Sequence, residues 1–181
     1  MKHPIAKMYT DHGIITMELY LESAPNTVSS FIWAASEGMY ENRLIKRVVP
    51  DFVIQPSYCY FDDKRCDFML EGEFASNGID NPLKMEKWTV AMAGDGETEA
   101  HGTEFFISLS DEAGERLQGK FAAFGKVIAG FVEVERLAAV PVKRLFPEGV
   151  DAVICQPIED EYMRHMEVET FGQKYEKPVI K

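Results

Sequence analysis

The sequence has no continuous apolar run approaching the roughly 18 residues that a membrane-crossing helix needs, which removes an integral helical membrane protein from consideration. Its opening, Met1-Lys2-His3-Pro4-Ile5-Ala6-Lys7-Met8, lacks the apolar stretch of a secretory leader. The expectation is a soluble, cytoplasmic protein. Positive charge is also scarce: 19 Lys and Arg stand against 30 Asp and Glu, a formal net charge of -11. Such a field repels phosphate backbones and anionic bilayer surfaces, so neither nucleic acid nor membrane is expected as a partner. Cysteine is limited to Cys59, Cys66 and Cys155, an odd number without CxxC spacing or a nearby histidine pair. That pattern excludes a zinc ribbon and fits free thiols in a reducing compartment. Internal repeats, low-complexity tracts and a linker that would split the chain are all missing.

What is present is an ordinary globular composition, 46% hydrophobic and 27% charged over 181 residues, enough for one domain over 1–181 with its own core. From Ile5 to Tyr20 apolar and polar residues alternate on both sides of Asp11-His12-Gly13, the signature of a hairpin. After Pro25-Asn26-Thr27, the spacing of Val28, Phe31, Ile32 and Ala35 predicts a helix that Gly38 ends. Leu44 to Val49 and Phe52 to Ile54 read as strands joined by a bend at Pro50-Asp51. Residues 57 to 87 show no sustained period and read as loop with short strands. Thr89 to Ala93, Phe105 to Leu109 and Phe121 to Ile128 are strand candidates. Phe131, Val132, Val134 and Leu137 mark a second helix before Pro141, and Met166 to Phe171 alternates as a last strand. The polar segment 172–181 reads as partly ordered. Many strands, two helices and no βαβ alternation point to an all-β barrel or sandwich with helical caps.

Several segments, in order, resemble one family. Arg47-Val48-Val49-Pro50-Asp51-Phe52-Val53-Ile54-Gln55 is similar to the F-H-R-(V/I)-(V/I)-P-x-F-x-x-Q pattern of the cyclophilins. Met92-Ala93 followed by Gly102-Thr103-Glu104-Phe105-Phe106-Ile107 resembles their M-A and G-S-Q-F-F-I, and Leu117-Gln118-Gly119-Lys120-Phe121 through Val127 resembles L-(D/N)-G-x-(H/Y)-x-x-F-G-x-V. Met17 to Tyr20, Ala24 to Val28 and Phe31 match the family's opening. The resemblance spans roughly residues 5 to 140. It implies a closed eight-stranded antiparallel barrel capped by two α-helices, and peptidyl-prolyl cis-trans isomerase activity on proline-containing peptides and protein clients.

The chemistry implied is rotation about the X-Pro bond, against a barrier of about 18–20 kcal/mol. No bond is made or broken, so no metal or other cofactor is expected; the catalyst must favour the twisted amide over both planar forms. In that twisted state the proline nitrogen regains a basic lone pair, and a fixed cation aimed at it stabilises it selectively. By resemblance Arg47 is that donor, a guanidinium charged at any working pH. The family pattern assigns the apolar slot for the proline ring to Phe52, Val53, Phe106, Leu117 and Phe121. Strand parity puts Phe106 on the face of Glu104 and Ser108, opposite Phe105, Ile107 and Leu109, and so makes it the exposed-face aromatic. Gln55 is expected to hold the substrate backbone or orient Arg47, and Ala93 and Gly94 to present backbone groups to an extended peptide. Parity places Arg47, Val53 and Gln55 on one face if Pro50 leaves the register intact.

The sequence departs from the family pattern at four places. Lys46 replaces histidine, Pro56-Ser57 replaces paired glycines, Glu104 replaces glutamine, and Arg116 stands where cyclosporin-sensitive members carry tryptophan. Glu104 and Arg116 are expected to flank the groove as opposed charges that lower turnover. These departures favour a rival reading, a proline-peptide-binding or chaperone module with weak or no isomerase activity. A third reading, metal binding by Asp95, Glu97, Glu99, His101 and Glu104, fits no calcium-loop spacing and is weaker than a solvated acidic loop. A monomer is the expected state.

Overall fold

The computed structural model describes residues 2–56, 62–146 and 154–181. The expected hairpin is present as β1 (Ile5–Thr10) and β2 (Ile14–Leu19), turning at Asp11-His12-Gly13. Helix α1 (Pro25–Ser36) follows with proline in its first turn, where a missing N–H costs nothing. Gly38 ends it in the left-handed region, φ 70°.

The segment expected as one strand from Leu44 to Val49 is two. β3 (Arg43–Leu44) pairs with β12 (Tyr162–Glu169), whereas β4 (Arg47–Val49) pairs with β5 (Val53–Gln55). Ile45 lies between them, fully buried, its N–H donating to the Glu161 carbonyl at 2.8 Å. The chain changes partners there, which apolar content alone does not reveal.

β6 (Met69–Glu71) precedes β7 (Thr89–Gly94) and β8 (Glu99–Ser108). β8 extends well N-terminal of the expected Phe105–Leu109 because Glu99, Ala100 and His101 find β6 as partner. Helix α2 (Asp111–Leu117), β9 (Ala122–Ala129), α3 (Phe131–Ala138) and a β10 (Val142–Leu145)–β11 (Ile154–Pro157) hairpin complete the order before β12. Three α-helices therefore stand among the described residues where two were expected, α2 being the addition.

Ten strands form one antiparallel sheet in the order β3-β12-β1-β2-β9-β7-β8-β5-β4, with β6 also on β8. The end strands β3 and β4 are separated by Ile45 and Lys46 alone, so the sheet must curl strongly to bring its two edges close. Its inner face is filled by α1 and alternate strand residues. The Phe31 ring meets Tyr40, Phe105 and Phe124 at centroid distances of 5.2, 5.3 and 5.3 Å.

Segment 172–181, read from its polarity as partly ordered, runs back along α1. Asn26 Nδ2 donates to the Val179 carbonyl and Asn26 Oδ1 accepts from the Val179 N–H, at 3.0 and 2.8 Å. The Lys181 N–H donates to the Met69 carbonyl at 2.9 Å.

The N-terminus of α1 has no cap of its own, since Ala24 at that position offers no side-chain acceptor. Glu73, only 8% exposed, supplies it from afar: its carboxylate accepts from the N–H groups of Asn26 and Thr27 at 3.0 and 2.8 Å and from the Thr27 hydroxyl at 2.7 Å. The anion also sits at the positive end of the helix dipole. Glu73→Ala is expected to lower stability by about 2 kcal/mol, and Glu73→Gln by less because one acceptor oxygen remains. Thermal melting checks this; equal melting temperatures for both variants and the parent would remove Glu73 from the account of α1.

Candidate active site

The outward face of the sheet is built by parity. In the β4–β5 pairing Arg47 lies opposite Gln55 and Val49 opposite Val53, so these four side chains share one face while Val48 and Ile54 enter the main core. Pro50 does not shift that register. Val49-Pro50-Asp51-Phe52 is a tight turn in which the Phe52 N–H donates to the Val49 carbonyl at 3.0 Å and Asp51 takes φ 60°. Proline followed by a left-handed residue is the type II arrangement, which returns the chain with the two strands in phase.

β8 continues the face. Val53 pairs with Ser108 and Ile54 with Ile107, which puts Glu104, Phe106 and Ser108 on the outer side and Phe105 and Ile107 inside. Phe106 thus faces as parity predicts. It is not exposed, however: at 4% accessibility it is packed under Leu117 and Phe121, the Phe121 ring meeting it edge-on at 5.6 Å. Covering by the α2–β9 connection, which strand parity does not register, is the reason.

Val53, Phe106 and Leu117 form a second apolar cluster with Ala91, Met85 and Ala123, against which Phe52, Ala93 and Phe121 pack. Met85, Ala91 and Ala123 escaped the sequence reading. The alternation of Thr89 to Ala93 could have marked Ala91 as a partner of Ala93, whereas Met85 sits in a segment without a period.

Arg47 is half-buried, and its guanidinium donates through Nη1 to Gln55 Oε1 at 3.0 Å. Gln55, 6% exposed, therefore orients the cation across the strand pair. Glu104, two residues before Phe106, is 1% exposed, whereas Arg116 is exposed on α2 with its guanidinium carbon 5.0 Å from the centre of the Phe52 ring. The two charges expected to oppose one another thus differ in kind: one lies in the sheet, the other at the rim. Lys46 bonds outward to Asp62 at 2.9 Å. Pro56 is buried, and Ser57 and Cys59 lie outside the described residues. Cys66 and Cys155 are buried.

Helix α2 places Arg116 and Leu117, and it could have been found from its ends. Ser110 Oγ accepts from the Ala113 N–H at 3.0 Å, Asp111 and Glu112 occupy the first turn and Arg116 the last. Gly114 disguised the helix, yet it is required, since a Cβ there would lie 2.4 Å from the Met85 carbonyl oxygen.

An open cleft of about 810 Å³ lies beside this cluster, with Phe52, Leu117 and Phe121 on its apolar side and Asp95, Glu97, Glu115, Arg116 and Lys120 around it. Gly94 leads into it, paired with Ala100 in the β7–β8 ladder and too close to the Glu99 carbonyl to carry a side chain, at 2.1 Å from an added Cβ.

Asp95, a member of the acidic group weighed for metal, spends its carboxylate on the following turn. Oδ1 accepts from the N–H groups of Glu97, Thr98 and Glu99 at 2.8, 2.9 and 2.9 Å, and Oδ2 faces the Thr98 hydroxyl at 3.2 Å. Glu99 pairs with Lys181 at 3.0 Å instead. Glu104 stands far along β8 from the turn, and the half-buried His101 has its pKa pushed down, chiefly by burial against the opposing charges of Asp67, Asp95 and Glu99.

A strongly curled antiparallel sheet carries an arginine–glutamine pair and an apolar cluster with aromatic members on one outer face, and comparisons with known proteins say which family has this fold. The family model for the cyclophilin type peptidyl-prolyl cis-trans isomerases matches residues 5–162. A peptidyl-prolyl cis-trans isomerase of Acinetobacter baylyi is 30% identical over 146 residues, 78% of this chain and 75% of that one. Peptidyl-prolyl cis-trans isomerase B of Escherichia coli is 30% identical over 142 residues, 75% of this chain and 85% of that one. Among solved structures, a cyclophilin type isomerase of Cryptosporidium parvum superposes with TM-score 0.74 at 20% identity, covering 94% of this chain and 99% of its own. The chain belongs to the cyclophilin-type peptidyl-prolyl cis-trans isomerase family, a family of isomerases.

The Asp95 turn carries a pH signature. Burial raises its pKa, but the three backbone N–H bonds and the Thr98 hydroxyl outweigh this and hold it at about 2, below the ordinary 3.8. A carboxyl held low in the folded state stabilises it above the unfolded pKa and loses that contribution as pH falls from about 4 towards 2. Asp95→Asn is therefore expected to melt below the parent at pH 6 and to converge with it near pH 2. Melting curves across that range check this; a constant gap would assign the loss to the amide's geometry and not to charge.

Proposed function

We propose that the chain isomerises X-Pro bonds of peptides and protein clients at this face, with Arg47 as the catalytic cation. The observation that carries the reading is the cross-strand Arg47–Gln55 bond at 3.0 Å, on the same sheet face as the Val53, Phe106 and Leu117 cluster. The proline ring enters the slot between Phe52, Phe106, Leu117 and Phe121, with Val53 beneath. The guanidinium meets the imide nitrogen only as conjugation is lost, so the interaction strengthens in the twisted state. Gln55 keeps the fork aimed, and Ala93 and Gly94 run beside the bound chain as an edge for its backbone. Glu104 and Arg116 belong to the same groove as substrate-binding residues. The Cryptosporidium parvum relative was also crystallised in the presence of the dipeptide Ala-Pro, which supports a proline-peptide ligand here.

The same reading takes 1–181 as one domain and the sheet as a closed barrel, because β3 and β4 are consecutive in the chain. It takes the protein as a cytoplasmic monomer that assists folding. No described helix is long and apolar enough to cross a membrane.

The test is exchange spectroscopy on a capped Ala-Ala-Pro-Ala peptide, which reads isomerisation without a coupling protease. Arg47→Ala is expected to lower kcat/KM by about 100-fold or more, the scale of losing one preorganised donor to a developing charge. Gln55→Ala is expected to lose less, since it removes orientation and leaves the cation. Equal rates for parent and Arg47→Ala with peptide binding retained would select the binding module over the enzyme.

A further inference from the structure

The cleft beside the proline slot is lined by charges of both signs, and one of them, Arg116, is set against the Phe52 ring at its edge. The Arg116 guanidinium carbon lies 5.0 Å from the centre of the Phe52 ring, within the range of a cation–π contact. Both partners of that contact are anchored. Ser110 Oγ, while capping α2, donates to the Asp51 carbonyl at 2.8 Å, and the Leu109 N–H donates to the Phe52 carbonyl at 2.9 Å. At the other end of α2, Gln118 Oε1 accepts from the Met85 N–H at 2.7 Å. The start of the helix that carries the cation is thus bound to the turn that carries the ring, and its end is bound to the segment before β7.

Among the described residues Arg116 makes no ion pair, although Glu115 is its neighbour in sequence and Glu97 lines the same cleft. Glu115 and Glu97 are exposed, and Asp95, the remaining anion of the cleft, has its oxygens engaged by the turn. The chain's charge of -11 repels acidic peptides at long range, but beyond about 8 Å it is screened at physiological salt. Next to the slot the local charges decide, and of the two cations there, Arg116 and Lys120, it is Arg116 that lies over Phe52.

Resting on the isomerase reading above, we propose that Arg116 is a specificity-determining residue that selects peptides with a carboxylate side chain adjoining the proline. A peptide whose ring fills the slot against Phe52 brings a flanking side chain to the guanidinium stacked on that same ring. An Asp or Glu there gains a charge-assisted hydrogen bond with full charge attraction, a Gln gains only the weaker bond of its neutral amide oxygen, and a Lys is repelled.

The test uses capped peptides Ala-X-Pro-Ala and Ala-Ala-Pro-Z, with X or Z set to Glu, Gln or Lys. Exchange spectroscopy gives kcat/KM, and chemical-shift titration of the same peptides gives Kd. In one of the two series the parent is expected to favour Glu over Lys by about three- to fivefold at 0.15 M salt, as a partly exposed ion pair allows. Arg116→Ala should bring the ratio to about one, Arg116→Glu should invert it, and 1 M salt should compress it in the parent, where the screening length falls to about 3 Å. If the parent prefers Lys, or if its ratios survive both substitutions in both series, the proposal is overturned. Should no peptide be isomerised by any variant while Kd still follows the Arg116 charge, the selectivity stands and the isomerase reading fails. Melting temperatures of the Arg116 variants, altered at an exposed position, verify that the fold is intact.

Discussion

The period of two along an antiparallel strand is the constraint on which the molecule depends. Each strand of the β4, β5, β8 and β7 group sends one set of side chains inward to the ring cluster around Phe31 and the next set outward to Phe106 and its neighbours. A one-residue slip in any pairing would exchange the two sets, moving Ile54 or Phe105 into the slot and the Arg47–Gln55 pair into the apolar interior. A buried unpaired guanidinium costs far more than a lost apolar contact, so the fold and the chemistry are protected by the same register. The Pro50-Asp51 turn fixes the count between β4 and β5, and Asp51 accepts a left-handed backbone to do so.

Much of this was legible in the residues. Alternation marks the hairpin, β7, β8 and β9 read as strand candidates, and parity sets Phe106 apart from Phe105 and Ile107. The Arg47–Gln55 partnership followed once the turn was known to preserve phase. Other features depend on contacts distant in sequence. Glu73 caps a helix more than forty residues earlier, β8 grows because β6 lies beside it, and Phe106 is covered by Leu117 and Phe121. No local period encodes such meetings. Helix α2 is an intermediate case: its Ser110 cap and acidic first turn are ordinary signals, obscured by a glycine that the Met85 carbonyl demands.

The groove is consequently a composite, assembled from a rigid sheet face and from loops tied to it by a few hydrogen bonds. The sheet contributes the cation, its glutamine and the floor of the slot. The connections contribute the lip, where Arg116 stands on Phe52. On the proposed reading, isomerisation belongs to the strands and preference for a flanking residue to the lip.

The distant cap on α1 bears on how the chain acquires its shape. A twelve-residue helix whose Asn26 and Thr27 N–H groups are capped by the distant Glu73 is a poor autonomous nucleus, because short isolated helices are marginal in water. Its completion waits for a loop closure of 46 residues between Thr27 and Glu73. Since α1 fills the interior of the curled sheet, that closure ties core formation to long-range topology, the property that slows folding in β-rich domains. A chain of a peptidyl-prolyl isomerase family thereby carries, in its own topology, a reason to fold at a measured pace.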